Sequence, residues 1–120
     1  MLFFWEVKMA DRETTVGDLR EAVQKFVSAR KWEGFHNPKN LAMSIAIEAA
    51  EIMEHFQWIT IDEGRELMKG DEARAEVADE LADVMIYCLS FANATGIDVS
   101  EAILKKLARN EGRFPIPEGR

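Results

Sequence analysis

Apolar positions recur three and four residues apart along most of the chain, and nowhere do they alternate with period two between turn residues. Thr15 and Asp18 are spaced as a capping box, and Val16, Leu19, Val23, Phe26 and Val27 follow at helical intervals, which predicts a first helix over residues 16–31. The loop W-E-G-F-H-N-P-K comes next, and Pro38 suits the first turn of a second helix running to about Gln57. Thr60 with Glu63 opens a short helix that ends near Gly70. Asp71 is a candidate cap for a long helix reaching Asn93, with Gly96 placed to stop it. Asp98 and Glu101 are spaced to box a last helix that Gly112 closes. Residues 2–7 are the one stretch that reads as extended. The pattern predicts an all-α fold, an antiparallel bundle of four to five helices. An N-terminal arm over residues 1–14, one helical domain over 15–115 and a short tail over 116–120 complete the organisation.

The faces of the second and the long helix carry the chemistry. On the second, Leu41, Ile45, Ala49, Ile52 and Phe56 share an apolar arc that Met43, Ala46, Ile47 and Ala50 extend. Between residues 41 and 53 only Glu48 and Glu51 are charged, on a narrow ridge with Ser44 and His55. On the long helix Val77, Leu81, Val84, Met85, Cys88 and Ala92 form the apolar face, while Glu76, Glu80, Asp83 and Tyr87 share a ridge within about 60° of one another. A solvated helical acid usually has a basic residue three or four positions away. None of Glu48, Glu51, Glu80 and Asp83 has one, and each pair is like-charged on an otherwise apolar helix. A cation accounts for such pairs, and an all-oxygen donor set suits Mg²⁺ or Mn²⁺ rather than zinc. Antiparallel packing would bring the pairs into one four-carboxylate cluster. His55 extends the ridge, where an orienting or core role is favoured over ligation. A ferritin-like di-iron site would want E-x-x-H, and neither pair ends in His.

Composition narrows the partners. The 120 residues make one domain, and 15 Lys and Arg against 22 Asp and Glu leave a formal charge of −7. That excludes a nucleic-acid polymer as partner, which needs a basic face to displace counterions. The single cysteine, Cys88, rules out an intrachain disulfide framework or a Cys-rich zinc site, and its apolar neighbours favour a buried, inert thiol over a reactive one. No run reaches the roughly 20 apolar residues of a membrane span. The apolar start lacks a basic leader region and a small-residue cleavage pattern. The expectation is a soluble cytoplasmic protein with no membrane partner.

E-A-A-E at 48–51 and E-L-A-D at 80–83 resemble the E-x-x-E…E-x-x-D signature of the MazG-like, all-α nucleoside triphosphate pyrophosphohydrolases, and within them the dCTP pyrophosphatase branch most. The likeness covers roughly residues 16–115. It includes W-E-G-F-H-N-P-K-N-L at 32–41, the F-Q-W that closes E-A-A-E-I-M-E-H-F-Q-W, the tyrosine of E-L-A-D-V-M-I-Y, and K-K-L-A-R-N-E-G-R-F-P at 105–115. The resemblance implies hydrolysis of a nucleoside triphosphate to the monophosphate and pyrophosphate, with dCTP or a modified dCTP favoured as nucleotide-pool cleaning. It implies Glu48, Glu51, Glu80 and Asp83 as catalytic Mg²⁺ ligands, Mn²⁺ being possible, with Glu76 a spare candidate for the base. It also implies Trp32, Phe35, His36, Trp58 and Tyr87 as nucleotide contacts, although Phe35 and Trp58, taken on their own, read first as ordinary core. Lys106 and Asn110, on one ridge with Arg113 and with Arg109 at its edge, become triphosphate or sugar contacts; a solvated basic face is the other reading. Val23 stands where the branch carries a histidine, the linker between the acidic helices is shorter than in the branch's animal members, and the first 14 residues have no counterpart. These departures bear on a strict dCTP preference and leave the acidic cluster untouched. Two other readings stay open: the same chemistry on dUTP, other triphosphates or phosphoribosyl-ATP, and a non-catalytic helical interaction module. The resemblance further implies a homodimer or homotetramer. Leu2, Phe3, Phe4 and Trp5 form an apolar arm needing cover, and residues 32–36 are candidates to reach a neighbour's pocket.

Overall fold

The computed structural model describes residues 9–119, and these form five helices and no strand. They are α1 (Val16–Ala29), α2 (Pro38–Glu54), α3 (Ile61–Leu67), α4 (Asp71–Thr95) and α5 (Val99–Arg113). The expected all-α architecture is what the chain adopts. The segment read as extended, residues 2–7, lies outside the described residues.

Local chemistry sets the helix ends. Thr15 Oγ1 accepts from Asp18 N–H while Thr15 N–H donates to Asp18 Oδ2, both at 3.0 Å, a complete capping box for α1. Thr60 and Glu63 make the same reciprocal pair for α3 at 3.1 Å. Asn37 Oδ1 accepts from Asn40 N–H at 3.0 Å and Pro38 occupies the first turn of α2. Gly96 ends α4 in the left-handed region (φ 73°), where a side chain would be strained. Two expected caps are corrected. Gly70, not Asp71, is the N-cap of α4 and makes no side-chain cap bond; Asp71 is already helical, its carboxylate favoured there by the helix dipole. Asp98 caps α5 by accepting from Glu101 N–H at 2.9 Å, but the Glu101 carboxylate turns outward to Lys105 Nζ at 2.5 Å, so the box is half made.

The core is thin and centres on α4. Val27 of α1, Leu41 of α2, and Val77, Leu89 and Ala92 of α4 are the buried apolar residues. α2 and α4 run antiparallel. His36, just before α2, meets Ser90 late in α4, and His55, just after α2, meets Glu80 earlier in it. α1 is clamped to the same helix by polar contacts: Arg20 Nε donates to Asn93 Oδ1 at 3.0 Å, Asn93 Nδ2 donates to the Arg20 carbonyl at 3.0 Å, and Arg20 Nη1 donates to the Ile97 carbonyl at 2.7 Å. Part of the expected apolar face of α4 is not core in the single chain: Leu81 and Met85 are exposed, while Leu89 and Ser90 are buried. No residue of α3 or α5 is buried.

Leu41 is 1% exposed and seats α2 on α4. Leu41→Ala should lower unfolding free energy by about 3–5 kcal/mol, a large share of a small domain's stability. Met43→Ala, on the same helix but exposed, should cost clearly less. Denaturant titration of both variants measures the difference, and equal losses would place the core elsewhere.

Candidate functional site

Helical periodicity places Glu48 and Glu51 along one ridge of α2 that His55, its C-cap, continues, and the antiparallel packing turns that ridge toward Glu80 and Asp83 of α4. Glu48 Oε2 and Glu80 Oε2 are buried and accept no hydrogen bond. Burial pushes the Glu48 carboxyl above the ordinary carboxylate range, followed by the adjoining Glu51 carboxyl and then by the charges of Asp83 and Glu80. All four acids therefore share one electrostatic neighbourhood. Among the described residues no Lys or Arg forms an ion pair with any of them. The nearest positive partner is His55, whose Nε2 approaches Glu80 Oε2 to 2.5 Å without a hydrogen bond to that oxygen. That contact is an ion pair when the imidazole is protonated.

Buried polar atoms are normally partnered, so a Glu48 oxygen with no partner and a Glu80 oxygen met only by the His55 ring, in a like-charged cluster, need an explanation. An all-oxygen donor set with no basic counter-charge fits a hard divalent cation. The carboxylates are gathered rather than closed: among the described residues no group of three or more His, Cys, Asp or Glu side chains is arranged around one ion position. A cation would offset the like charges that the cluster gathers. Glu76 stands apart from the cluster, exposed along a shallow depression that it shares with Glu66, Leu67 and Asp71.

Beside the acids lies a cavity of about 370 Å³ lined by Phe35, His36, Asn40, Leu41, Met43, Ser44, Ile47 and Tyr87. The loop before α2 forms its mouth. Lys31 takes a left-handed conformation (φ 56°) unusual for a residue with a side chain, which reverses the chain after α1. The Phe35 and His36 N–H groups both donate to the Trp32 carbonyl, at 2.9 and 3.1 Å, and Asn40 Nδ2 donates to the Phe35 carbonyl at 3.2 Å. His36 is flanked by two rings, Trp32 (centroids 6.3 Å apart, planes at 16°) and Tyr87 (6.2 Å, 29°). Its Nδ1 is hydrogen-bonded to Ser90 Oγ at 2.8 Å.

The structure thus brings together Phe35, His36 and Tyr87 around the cavity, with Trp32 behind His36, next to Glu48, Glu51, Glu80 and Asp83. It leaves three expected contacts aside. Trp58, beyond α2, is 86% exposed and touches no ring among the described residues, so it is neither core nor part of this cavity in the single chain. Lys106 and Asn110 sit on α5, with no side-chain partner on α2 or α4. Asn40 and Ser90 escaped sequence reasoning. Ser90 had a faint signal as the one hydroxyl in the apolar run from Val84 to Ala92 other than Tyr87; Asn40 had none beyond its first-turn position.

A family model described as MazG-like matches residues 43–120. dCTP pyrophosphatase 1 from Bos taurus is 34% identical over 104 residues, covering 87% of this chain and 62% of that protein. dCTP pyrophosphatase 1 from Homo sapiens is 36% identical over 103 residues, covering 86% and 61%. The chain therefore spans about three fifths of the length of these curated relatives. The crystal structure of a pyrophosphatase from Archaeoglobus fulgidus superposes with a TM-score of 0.80 at 36% identity, over 91% of this chain and 100% of that one.

Proposed function

The chain belongs to the MazG-like family, and from that premise we propose that it is a Mg²⁺-dependent nucleoside triphosphate pyrophosphohydrolase, with dCTP or a modified dCTP as its favoured substrate. Water adds to the α-phosphorus, the bond from that phosphorus to the α–β bridging oxygen breaks, and the products are a nucleoside monophosphate and pyrophosphate. One observation carries the reading: a buried, partnerless carboxylate oxygen on Glu48 stands in an acidic cluster with Glu80 beside an aromatic-lined cavity. The relatives' names supply the substrate class.

Glu48, Glu51, Glu80 and Asp83 would hold the cation, Mg²⁺ or Mn²⁺. When bound, it neutralises phosphate charge and lowers the pKa of a water molecule. The chain's own residues bind and orient. Phe35 and Tyr87 offer ring faces to a base, which stacking holds with little regard to its identity, and His36 offers a ring nitrogen to the base edge. Lys106 and Asn110 supply the triphosphate end, and Trp58 a further ring, once subunits assemble. Assembly as a homodimer or homotetramer is part of the proposal, since Leu81, Met85, Leu104 and Leu107 are exposed in the single chain. Action on free nucleotides in the cytoplasm is its setting; no helix among the described residues is long and apolar enough to cross a membrane.

Pyrophosphate release from a panel of dCTP, 5-substituted dCTP, dUTP, the ribonucleotides and phosphoribosyl-ATP tests this reading. Release should be fastest from a cytosine deoxynucleotide with Mg²⁺, persist with Mn²⁺ and stop in excess chelator. Preference for another triphosphate would move the substrate within the same chemistry. No release from any of them with either ion would overturn the enzyme and leave a helical interaction module.

A further inference from the structure

Ser90 is 4% exposed, among the described residues the one buried polar side chain beside a core of five apolar ones, and it sits in the interior of α4. A buried helical hydroxyl ordinarily donates to the carbonyl four residues back. Thr95, on the same helix, does so, with Oγ1 donating to the Phe91 carbonyl at 2.8 Å. Ser90 does not: its Oγ has one partner, His36 Nδ1, 2.8 Å away on a residue 54 positions earlier. The hydroxyl has a single proton, and no backbone carbonyl among the described residues takes it. With Nδ1 as the available acceptor, the serine donates and the imidazole accepts. The bond made by one ring nitrogen fixes the state of the other. His36 is then an Nε2–H tautomer, held between Trp32 and Tyr87, on a side chain that lines the cavity.

We propose that Ser90 is a positioning residue that fixes His36 as an Nε2–H donor, so that the cavity selects a base presenting a hydrogen-bond acceptor, a pyrimidine carbonyl oxygen or unprotonated ring nitrogen, to that position. The selectivity part rests on the nucleotide reading above; the tautomer part does not. Ser90 never meets the base. It acts through His36, and the acceptor edge of cytosine is the matching partner. A donor already oriented before binding costs the ligand nothing to order, and a base offering a donor at that position is left with an unpaired group.

The chain has only two histidines, so long-range ¹H–¹⁵N spectra of the nucleotide-free protein are assigned with one His36→Gln variant. The wild type should show the His36 ring protonated at Nε2 alone. Ser90→Ala should give a mixed pattern and Ser90→Thr should restore the single one. In calorimetry Ser90→Ala should bind dCTP about tenfold more weakly, with Ser90→Thr recovering most of the loss. In turnover KM should rise while kcat stays nearly level, and melting curves confirm that both variants are folded. An Nδ1–H ring in the wild type, or a pattern indifferent to Ser90→Ala, would overturn the tautomer assignment. Unchanged dCTP affinity in a folded Ser90→Ala protein would overturn the selectivity role. A protein with the expected tautomer that releases pyrophosphate from no triphosphate separates the two: the serine–histidine device stands and the enzyme reading falls.

Discussion

Glu48→Gln should make the metal-free protein harder to unfold and, in the same step, nearly abolish its activity. The two effects have one cause. Glu48 Oε2 is buried without a partner, and the carboxylates of Glu51, Asp83 and Glu80 press on it. A neutral amide of the same shape removes a charge that burial disfavours, and its NH₂ can donate to a neighbouring carboxylate. The melting temperature in chelator should rise by a few degrees, where 1 kcal/mol corresponds to about 4 °C in a domain of this size. The amide is a far poorer cation ligand, so Mg²⁺ should stabilise the variant much less than the wild type, which gains roughly 2.7 kcal/mol at a hundredfold excess over Kd. Pyrophosphate release should fall by about three orders of magnitude, equivalent to roughly 4 kcal/mol of lost transition-state stabilisation.

The pH dependence follows with a definite sign. Glu48 binds its proton more tightly in the folded than in the unfolded chain, for which 4.5 is the ordinary value. The folded state then holds more protons, and stability falls as pH rises. The contribution is fully present below pH 4.5 and is lost as pH climbs through the raised folded value. Melts of the metal-free wild type from pH 4.5 upward should show this decline, and the Gln variant should show less of it. A variant as active and as Mg²⁺-responsive as the wild type would remove Glu48 from the metal centre.

What made the acidic cluster legible was an absence. Two i,i+3 acid pairs on apolar helices without a basic neighbour do not belong to an ordinary solvated surface, and antiparallel packing sets the two ridges face to face. The helix ends were legible for a similar reason. Thr15 with Asp18, Thr60 with Glu63, and Gly96 each satisfy backbone groups locally, so residues within one turn decide the outcome. Glu101 shows the limit. Its spacing from Asp98 fits a box, but Lys105 one turn on competes for the same carboxylate and wins it. The bond between His36 and Ser90 spans 54 positions and follows no periodic rule, so only the packed helices reveal it. Leu81 and Met85 expose a further limit. A hydrophobic period says that a face wants cover without saying whether the same chain provides it.

That last ambiguity leads to a strong test, because the single chain leaves so much uncovered. Its accessible surface is 9745 Å², against roughly 6,600 Å² for a compact protein of this mass. Its radius of gyration is 17.4 Å, where about 14 Å is usual for 120 residues. The difference, about 3,100 Å² for one chain, is more than the roughly 1,000–2,500 Å² per partner that an obligate interface usually removes. α5 concentrates the deficit, with Leu104 66% exposed and Ile103 and Leu107 each more than half exposed. Around the axis of α5, Lys106 and Asn110 stand within about 60° of Ile103, so a contact covering the apolar ridge also carries them to its margin. The phosphate end of the proposed site and the stability of the fold would then depend on the same contact. A Leu104→Glu, Leu107→Glu double variant should therefore sediment as a monomer, melt well below the wild type and release no measurable pyrophosphate. Burying two carboxylates without partners would cost several kcal/mol, enough to split an assembly of this kind. Lys105→Glu, on the outward face of the same helix, exchanges an exposed ion pair for an exposed like-charged pair and should keep its association state. If the double variant is monomeric yet as stable and active as the wild type, α5 takes no part in the site and one chain is sufficient for catalysis.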